Sequence, residues 1–320
     1  MAKKVLVFGD IGIDDTITLI YSYFNDKIDV VGVVADYGNI PKENALANVN
    51  YIRNLLDIEE DIQVIGGAQH PMTGENPAYF PEIHGEYGLG PIIPPEAEEN
   101  GIVENFFEVV DIIKEYKDDL IIVNIGRLTS LATLFILYPS LMNNVNRYNL
   151  MGGAFWVPGN VTAVSEANFY GDPIAAQIVL KYAQNVTIFP LNVTQKAIVT
   201  PKMTDYIDRV GGLDIIKPML DYYYKYYKKV YPDIKGAPLH DVLTLMAVVK
   251  EDMFTYRVFP VKIVQQETGA ARGQSIANIR PNGNMSNNSA VKPHRIAFGL
   301  DYKKFYIDFM TTMTGQQSSQ

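Results

Sequence analysis

Three carboxylates fall within six residues at Asp10-Ile11-Gly12-Ile13-Asp14-Asp15, directly after the apolar run Val5-Leu6-Val7-Phe8. Like charges this close repel, so something must neutralise them. A helix N-terminus is one answer, with Asp14 as cap and Asp15 as dipole partner. A hard cation is the other, because calcium and magnesium take oxygen ligands and carboxylates at a strand end can converge on one ion.

Two further clusters carry polar side chains at suggestive spacing. Pro238-Leu239-His240-Asp241 precedes the apolar stretch Val242 to Val249, which places His240 and Asp241 at a helix start; capping by Asp241 is the plainer explanation. Met151-Gly152-Gly153 leads to Asn160, Glu166-Ala167-Asn168-Phe169 and Asp172-Pro173. Asn and Glu along a loop suit sugar hydroxyls, and equally form turns. The run Tyr222 to Tyr231 holds six tyrosines. On a helix Tyr227 and Tyr231 share a face, either against a ligand or as amphipathic packing with wet hydroxyls.

The elements that must hold these residues alternate. Apolar runs at Val5–Phe8, Val30–Val34, Gln63–Ile65, Leu120–Asn124, Asn149–Met151 and Val186–Phe189 read as strands. Between them, helical patterns begin at Asp14 or Asp15 and cover Asn44–Leu56, Phe106–Tyr116, Leu128–Leu137 and Ala175–Ala183. Strand, helix, strand in repetition predicts an α/β domain with a mainly parallel sheet and helices on both faces. Ligands then sit at the carboxyl ends of the strands, where Asp10, Asn39 and Asn124 fall. We expect one domain over residues 1–314 and a frayed tail at 315–320. The Pro- and Gly-rich stretch Gly66–Glu98 is expected to lie over the site and close on a ligand.

Bulk properties narrow the classes. The 320 residues carry a net charge of −9 and no cysteine. Thiolate metal sites, disulfides and a cysteine nucleophile are excluded, and an acidic chain argues against a nucleic-acid partner. No apolar run approaches the roughly 20 residues of a membrane helix, and no signal-peptide pattern is visible, so a cytoplasmic location is expected. The Asp-x-Asp pair of magnesium phosphohydrolases is missing, because Phe8 stands two residues before Asp10. A Walker-type phosphate loop is also missing.

In sequence order these clusters resemble the inosine-uridine nucleoside hydrolase family, over nearly the whole chain. Asp10 to Asp15 resembles its DxDPGxDD signature, Gly38-Asn39 its Gly-Asn, and Ile83-His84-Gly85 its His-Gly segment. Gly126-Arg127-Leu128-Thr129 resembles its Gly-x-Leu-Thr-Asn turn, Met151 to Pro173 its sugar-binding stretch, and His240-Asp241 its C-terminal pair.

The resemblance implies an open Rossmann-like fold and calcium-dependent hydrolysis of ribonucleosides to ribose and free base, in purine and pyrimidine salvage, by a homo-oligomer (dimer or tetramer). It implies Asp10 as general base and His240 as proton donor to the leaving base. Asp10, Asp15 and Asp241 would hold calcium together with the carbonyl at Ile125. Asp14, Asn39, Asn160, Glu166 and Asn168 would bind ribose hydroxyls, with His84 near the sugar or base and Tyr227 and Tyr231 near the base. Phe8, Ile11 and Ser130 depart from the family pattern. Trp156 is the only tryptophan, so a purine sandwich between tryptophans is not available. A silent nucleoside-binding protein on the same fold is the alternative, and a metal phosphohydrolase ranks below it.

Overall fold

The computed structural model describes residues 1–58, 62–95, 104–211, 213–280 and 291–315. The last part of the expected loop, 96–98, and the tail from 316 lie outside the described residues. The strands are β1 (Lys3–Gly9), β2 (Ile28–Ala35), β3 (Gln63–Gly66), β4 (Ile121–Asn124), β5 (Arg147–Met151) and β6 (Val186–Phe189), then the short β7 (Ile198–Val199) and β8 (Ala237–Pro238), and finally β9 (Phe254–Ile263), β10 (Ser275–Ala277) and β11 (Pro293–Leu300). Nine of them form one sheet in the order β10-β9-β11-β6-β5-β4-β1-β2-β3. From β3 to β6 every pairing is parallel. The expected α/β architecture, with its mainly parallel sheet in a single domain, is the one observed.

Alternation along β1 shows how the sheet is covered on both sides. Val5 and Val7 join one buried cluster with the helices Ile13–Tyr23, Lys42–Leu56, Ile216–Val230 and His240–Met246. Leu6 and Phe8 join the other, with the helices Val109–Tyr116, Thr129–Leu137 and Pro173–Tyr182. Phe8 is therefore an ordinary core residue on the face away from the site helices, and it contributes no ligand.

The strands after β6 were not legible in the sequence. β11 runs parallel to β6, and β9 and β10 add antiparallel. Pro260 lies inside β9 and pairs with Pro293 at the start of β11. A proline within an apolar run reads as a break, since it cannot donate to the ladder.

The helix Lys42–Leu56 ends on Asp57, which holds a left-handed conformation at φ 57 and ψ 47. Glycine takes that conformation without steric cost. Asp57→Gly should stabilise the fold by up to about 1 kcal/mol, or roughly 1–2 °C in Tm. A thermal melt that fell instead would mean that the helix does not end there.

Candidate active site

The six parallel strands follow the order 3-2-1-4-5-6, so the direction of sheet growth reverses between β1 and β4. In open α/β sheets this reversal opens a crevice at the strand carboxyl ends. Asp10 leaves β1 there and Ile125 leaves β4. A cavity of about 210 Å³ sits at this point, lined among others by Asp14, Asn39, His84, Ile125, Arg127, Asn160, Glu166, Asn168, Tyr227, His240 and Asp241.

The N-cap of the helix Ile13–Tyr23 is Gly12, not Asp14. Asp15 Oδ2 accepts from the Gly12 backbone N–H at 3.0 Å, which leaves Asp14 free to face the cavity. Ile11 takes φ 24, a value closed to proline. Its carbonyl accepts from Asn48 Nδ2 at 2.9 Å. The departure from the family's Pro thus comes with a different backbone path, held by Asn48.

Ligand atoms of Asp14, Asp15 and Asp241 lie within 4.8 Å of one another, and all three residues are buried. Burial raises the pKa of each carboxyl, and mutual repulsion adds to it; Asp14 is pushed up to about 6. Asp14 Oδ1 and Asp15 Oδ1 are buried without a hydrogen-bond partner. Such orphaned oxygens on like-charged groups are costly unless a cation meets them. The residues present therefore fit a metal, and an all-oxygen donor set fits a hard one, calcium or magnesium.

Asp10 stands beside this trio. Its Oδ2 accepts from the Asn39 backbone at 2.6 Å and its Oδ1 from Asn39 Nδ2 at 3.3 Å. The same Nδ2 reaches Asp15 at 3.4 Å, so Asn39 links the two carboxylates. No side chain fits at position 38, where a Cβ would fall 1.9 Å from Asp10 Oδ2.

The opposite wall comes from the loop after β5. Glu166 caps the short helix Ala167–Gly171 and accepts from the backbone of Asn168, Phe169 and Gly153. Asn160 Oδ1 accepts from Ala167 N at 3.0 Å. Asn168 Nδ2 donates to the Ile125 carbonyl at 2.8 Å, the carbonyl expected to face calcium. Its Oδ1 accepts from Arg127 at 2.5 Å. Asn160, Glu166 and Asn168 are thus brought together as expected, each also bonded within the wall it builds.

Tyrosines and histidines close the remaining side. Tyr223 donates to Asp14 Oδ2 at 3.2 Å. The Tyr227 hydroxyl lies 3.1 Å from His240 Nε2, and His240 Nδ1 lies 2.9 Å from Thr194 Oγ1. Burial holds His240 down to about 4, so it is neutral near pH 7 and not the half-charged imidazole its ordinary pKa suggests. Tyr231 stacks on Tyr227 at 6.4 Å but is 53% exposed and outside the cavity lining. Trp156 is also outside the lining, 59% exposed and stacked on Phe298.

The loop from Gly66 forms a wall over its described length. Ala68 N donates to Asp36, Met72 N to Asp172, and Phe80 N to the Asn39 carbonyl. Arg272 ties down Glu75 and Thr73. His84 accepts from the Ile13 backbone N–H at 3.1 Å, so it caps the helix that carries Asp14 while lining the cavity.

Sequence reading missed Arg127, Tyr223 and Thr194. Tyr223 was within reach, since it precedes Tyr227 by one helical turn. Thr194 offered no local signal. Arg127 was visible only as the variable position of a turn motif.

The model of the family described as inosine-uridine preferring nucleoside hydrolase matches residues 5–307, and the chain belongs to this family. It is accordingly an N-glycosidase of the ribonucleoside hydrolase type. It is 33% identical to a pyrimidine-specific ribonucleoside hydrolase of Escherichia coli, over 80% of this chain and 82% of that one. It is 31% identical to a probable uridine nucleosidase of Arabidopsis thaliana, over 86% and 85%. A purine-preferring ribonucleoside hydrolase from Gardnerella vaginalis superposes with a TM-score of 0.88 at 29% identity, over 98% of this chain and 99% of that one. Among the described residues no helix is long and apolar enough to cross a membrane.

Both site histidines should stay neutral. Their pKa values sit below the unfolded 6.5, His240 at about 4 and His84 at about 3. The unfolded chain therefore binds more protons, and their contribution to stability is lost as pH falls from 6.5 towards 4. NMR of the imidazole carbons should show no titration of either between pH 5.5 and 8. A midpoint near 6.5 for His240 would mean that its pocket is solvated.

Proposed function

We propose that this protein hydrolyses ribonucleosides to ribose and free base with a bound calcium ion, using Asp10 as general base and His240 with Tyr227 at the leaving base. The observation that carries this reading is the trio Asp14, Asp15 and Asp241 with its orphaned oxygens, at the reversal point of the sheet and beside Asp10. Asp15, Asp241 and Asp14 are the carboxylates best disposed to hold the ion. Asp10 and the Ile125 carbonyl, which keeps a second lone pair beside its bond from Asn168, would complete the set. When bound, the ion supplies a Lewis acid that positions the attacking water and lowers its pKa.

The chain's own groups do the rest. Asp10, fixed on both oxygens by Asn39, takes the proton from water. Positive charge grows on the ribose as the N-glycosidic bond lengthens, as in other glycoside hydrolyses, and the surrounding carboxylates stabilise it without reorganising. Asn160, Glu166 and Asn168 face the sugar across from them.

At the base, neutral His240 works through Tyr227. With Nδ1 accepting from Thr194, Nε2–H donates to the Tyr227 oxygen and frees the Tyr227 O–H for the departing base. The base wall is built of tyrosine, so no tryptophan pair selects purines. The relatives' names include both pyrimidine-specific and purine-preferring enzymes, and we propose activity on both classes.

Free ribose released from a panel of nucleosides, with and without chelator, tests the reading. Chelation should abolish release and calcium restore it; release unaffected by chelator would remove the metal from the mechanism. Asp10→Asn should lower kcat by at least about 100-fold, the usual worth of a general base, and leave nucleoside binding measurable by calorimetry. Turnover within tenfold of wild type would show that Asp10 is not the base. His240→Ala and Tyr227→Phe should each lose inosine hydrolysis and keep most activity on nitrophenyl riboside, whose leaving group needs no proton. Equal losses on both substrates would assign the pair to binding or structure instead.

A further inference from the structure

Among the described residues Arg127 is the only lysine or arginine lining the cavity. It is buried, and its Nη1 donates to Asn168 Oδ1 at 2.5 Å while standing 3.6 Å from Asp10 Oδ2. The two contacts differ in what else supports them. Asp10 is held on both oxygens by Asn39. Asn168 Oδ1 is held by Arg127.

An asparagine amide can turn over and exchange its oxygen and nitrogen, and its partners decide which way it points. Guanidinium has donors only, so it admits the oxygen and refuses the NH2 group. Asn168 Nδ2 is thereby directed at the carbonyls of Ile125 and Met151, at 2.8 and 3.3 Å. The chain also makes room for this contact. A Cβ at Gly171 would fall 2.3 Å from Arg127 Nε and 2.5 Å from its Cδ.

We infer that Arg127 is a positioning residue for substrate specificity: it locks the orientation of the Asn168 amide and so fixes the polar surface this wall presents to the ribose. The inference rests on the ribonucleoside hydrolase reading above. Asn39 keeps Asp10 in place without Arg127, so the turning of the Asn168 amide is read in sugar affinity, apart from any effect of the lost charge on Asp10.

The test measures kcat, KM and the calorimetric Kd for uridine and inosine in wild type, Arg127→Ala, Arg127→Lys, Gly171→Ala and the Arg127→Ala/Gly171→Ala double variant. Arg127→Ala should raise KM and Kd by about ten- to a hundredfold, the worth of one charge-assisted hydrogen bond, whatever the lost charge beside Asp10 does to kcat. Guanidinium chloride at tens of millimolar should restore part of the affinity in Arg127→Ala. Arg127→Lys should keep part of it. Gly171→Ala should reproduce the loss by displacing Arg127, and the double variant should be no worse than Arg127→Ala alone. Unchanged KM and Kd, or a fall in kcat with affinity intact, would overturn the inference. So would additive losses in the double variant, or a lowered Tm with no effect of guanidinium. If Arg127→Ala does not fold, Gly171→Ala and Arg127→Lys decide by the same affinities. Wild type that binds nucleoside and releases no ribose would defeat the hydrolase reading, while the Kd comparison would still judge Arg127.

Discussion

Asp10, Asp14, Asp15 and Asp241 are buried together, and keeping four carboxylates out of water constrains everything around them. Unit charges about 5 Å apart repel by roughly 3–4 kcal/mol at an effective dielectric near 20, and each loses hydration besides. Desolvation heads the causes that raise all four pKa values. The protein offers limited relief of its own: the Gly12 N–H to Asp15, Asn39 to Asp10, Tyr223 to Asp14, and the Arg127 charge beside Asp10. A bound divalent cation removes most of the remaining imbalance, and a positive charge developing on a sugar meets what is left. The same arrangement that is costly for the carboxylates alone would therefore favour a cation among them.

The fold answers this constraint by drawing the carboxylates from distant segments onto rigid backbone. Asp10 ends β1, Asp14 and Asp15 occupy the first turn of the next helix, and Asp241 lies in the first turn of the helix His240–Met246. Helix N-termini carry partial positive charge, so three of the four sit where a backbone dipole already helps. Close packing of backbone does the remainder. Gly38 and Gly126 approach Asp10 so nearly that a Cβ would collide with it, which fixes the carboxylate without adding another charge.

Legibility in the sequence followed the range over which each feature acts. Parallel strands buried on both faces are near-continuous apolar runs, so β1 to β6 could be read directly. The antiparallel extension could not, because Pro260 and Pro293, which face each other in the β9–β11 pair, interrupt the pattern. Within the site, Asp10 to Asp15 announced itself because its charges are contiguous. Thr194 and Arg127 did not, since a threonine or an arginine takes a role only through a contact more than 40 residues away. The protonation of His240 was hidden for the same reason: burial among residues distant in sequence lowers its pKa.

The proposed role of His240 at the leaving base has to be met by a neutral ring. Burial holds the His240 ring uncharged. That outcome suits a site which binds a dication close by, because a second positive charge at His240 would oppose the ion and the developing ribosyl cation alike. In the proposed mechanism a neutral ring stores no proton, so the leaving base would be stabilised by a hydrogen bond from Tyr227 and not by proton transfer from an imidazolium. Thr194, His240 and Tyr227 form a hydrogen-bonded chain, with each link near 3 Å. Tyr227 suits the final place, since its phenol stays protonated in this buried setting and it lines the cavity. The tyrosine-rich helix thus serves the core, where Tyr223 is buried, and lines the cavity with hydroxyls one turn apart at Tyr223 and Tyr227, where the proposed mechanism uses a donor.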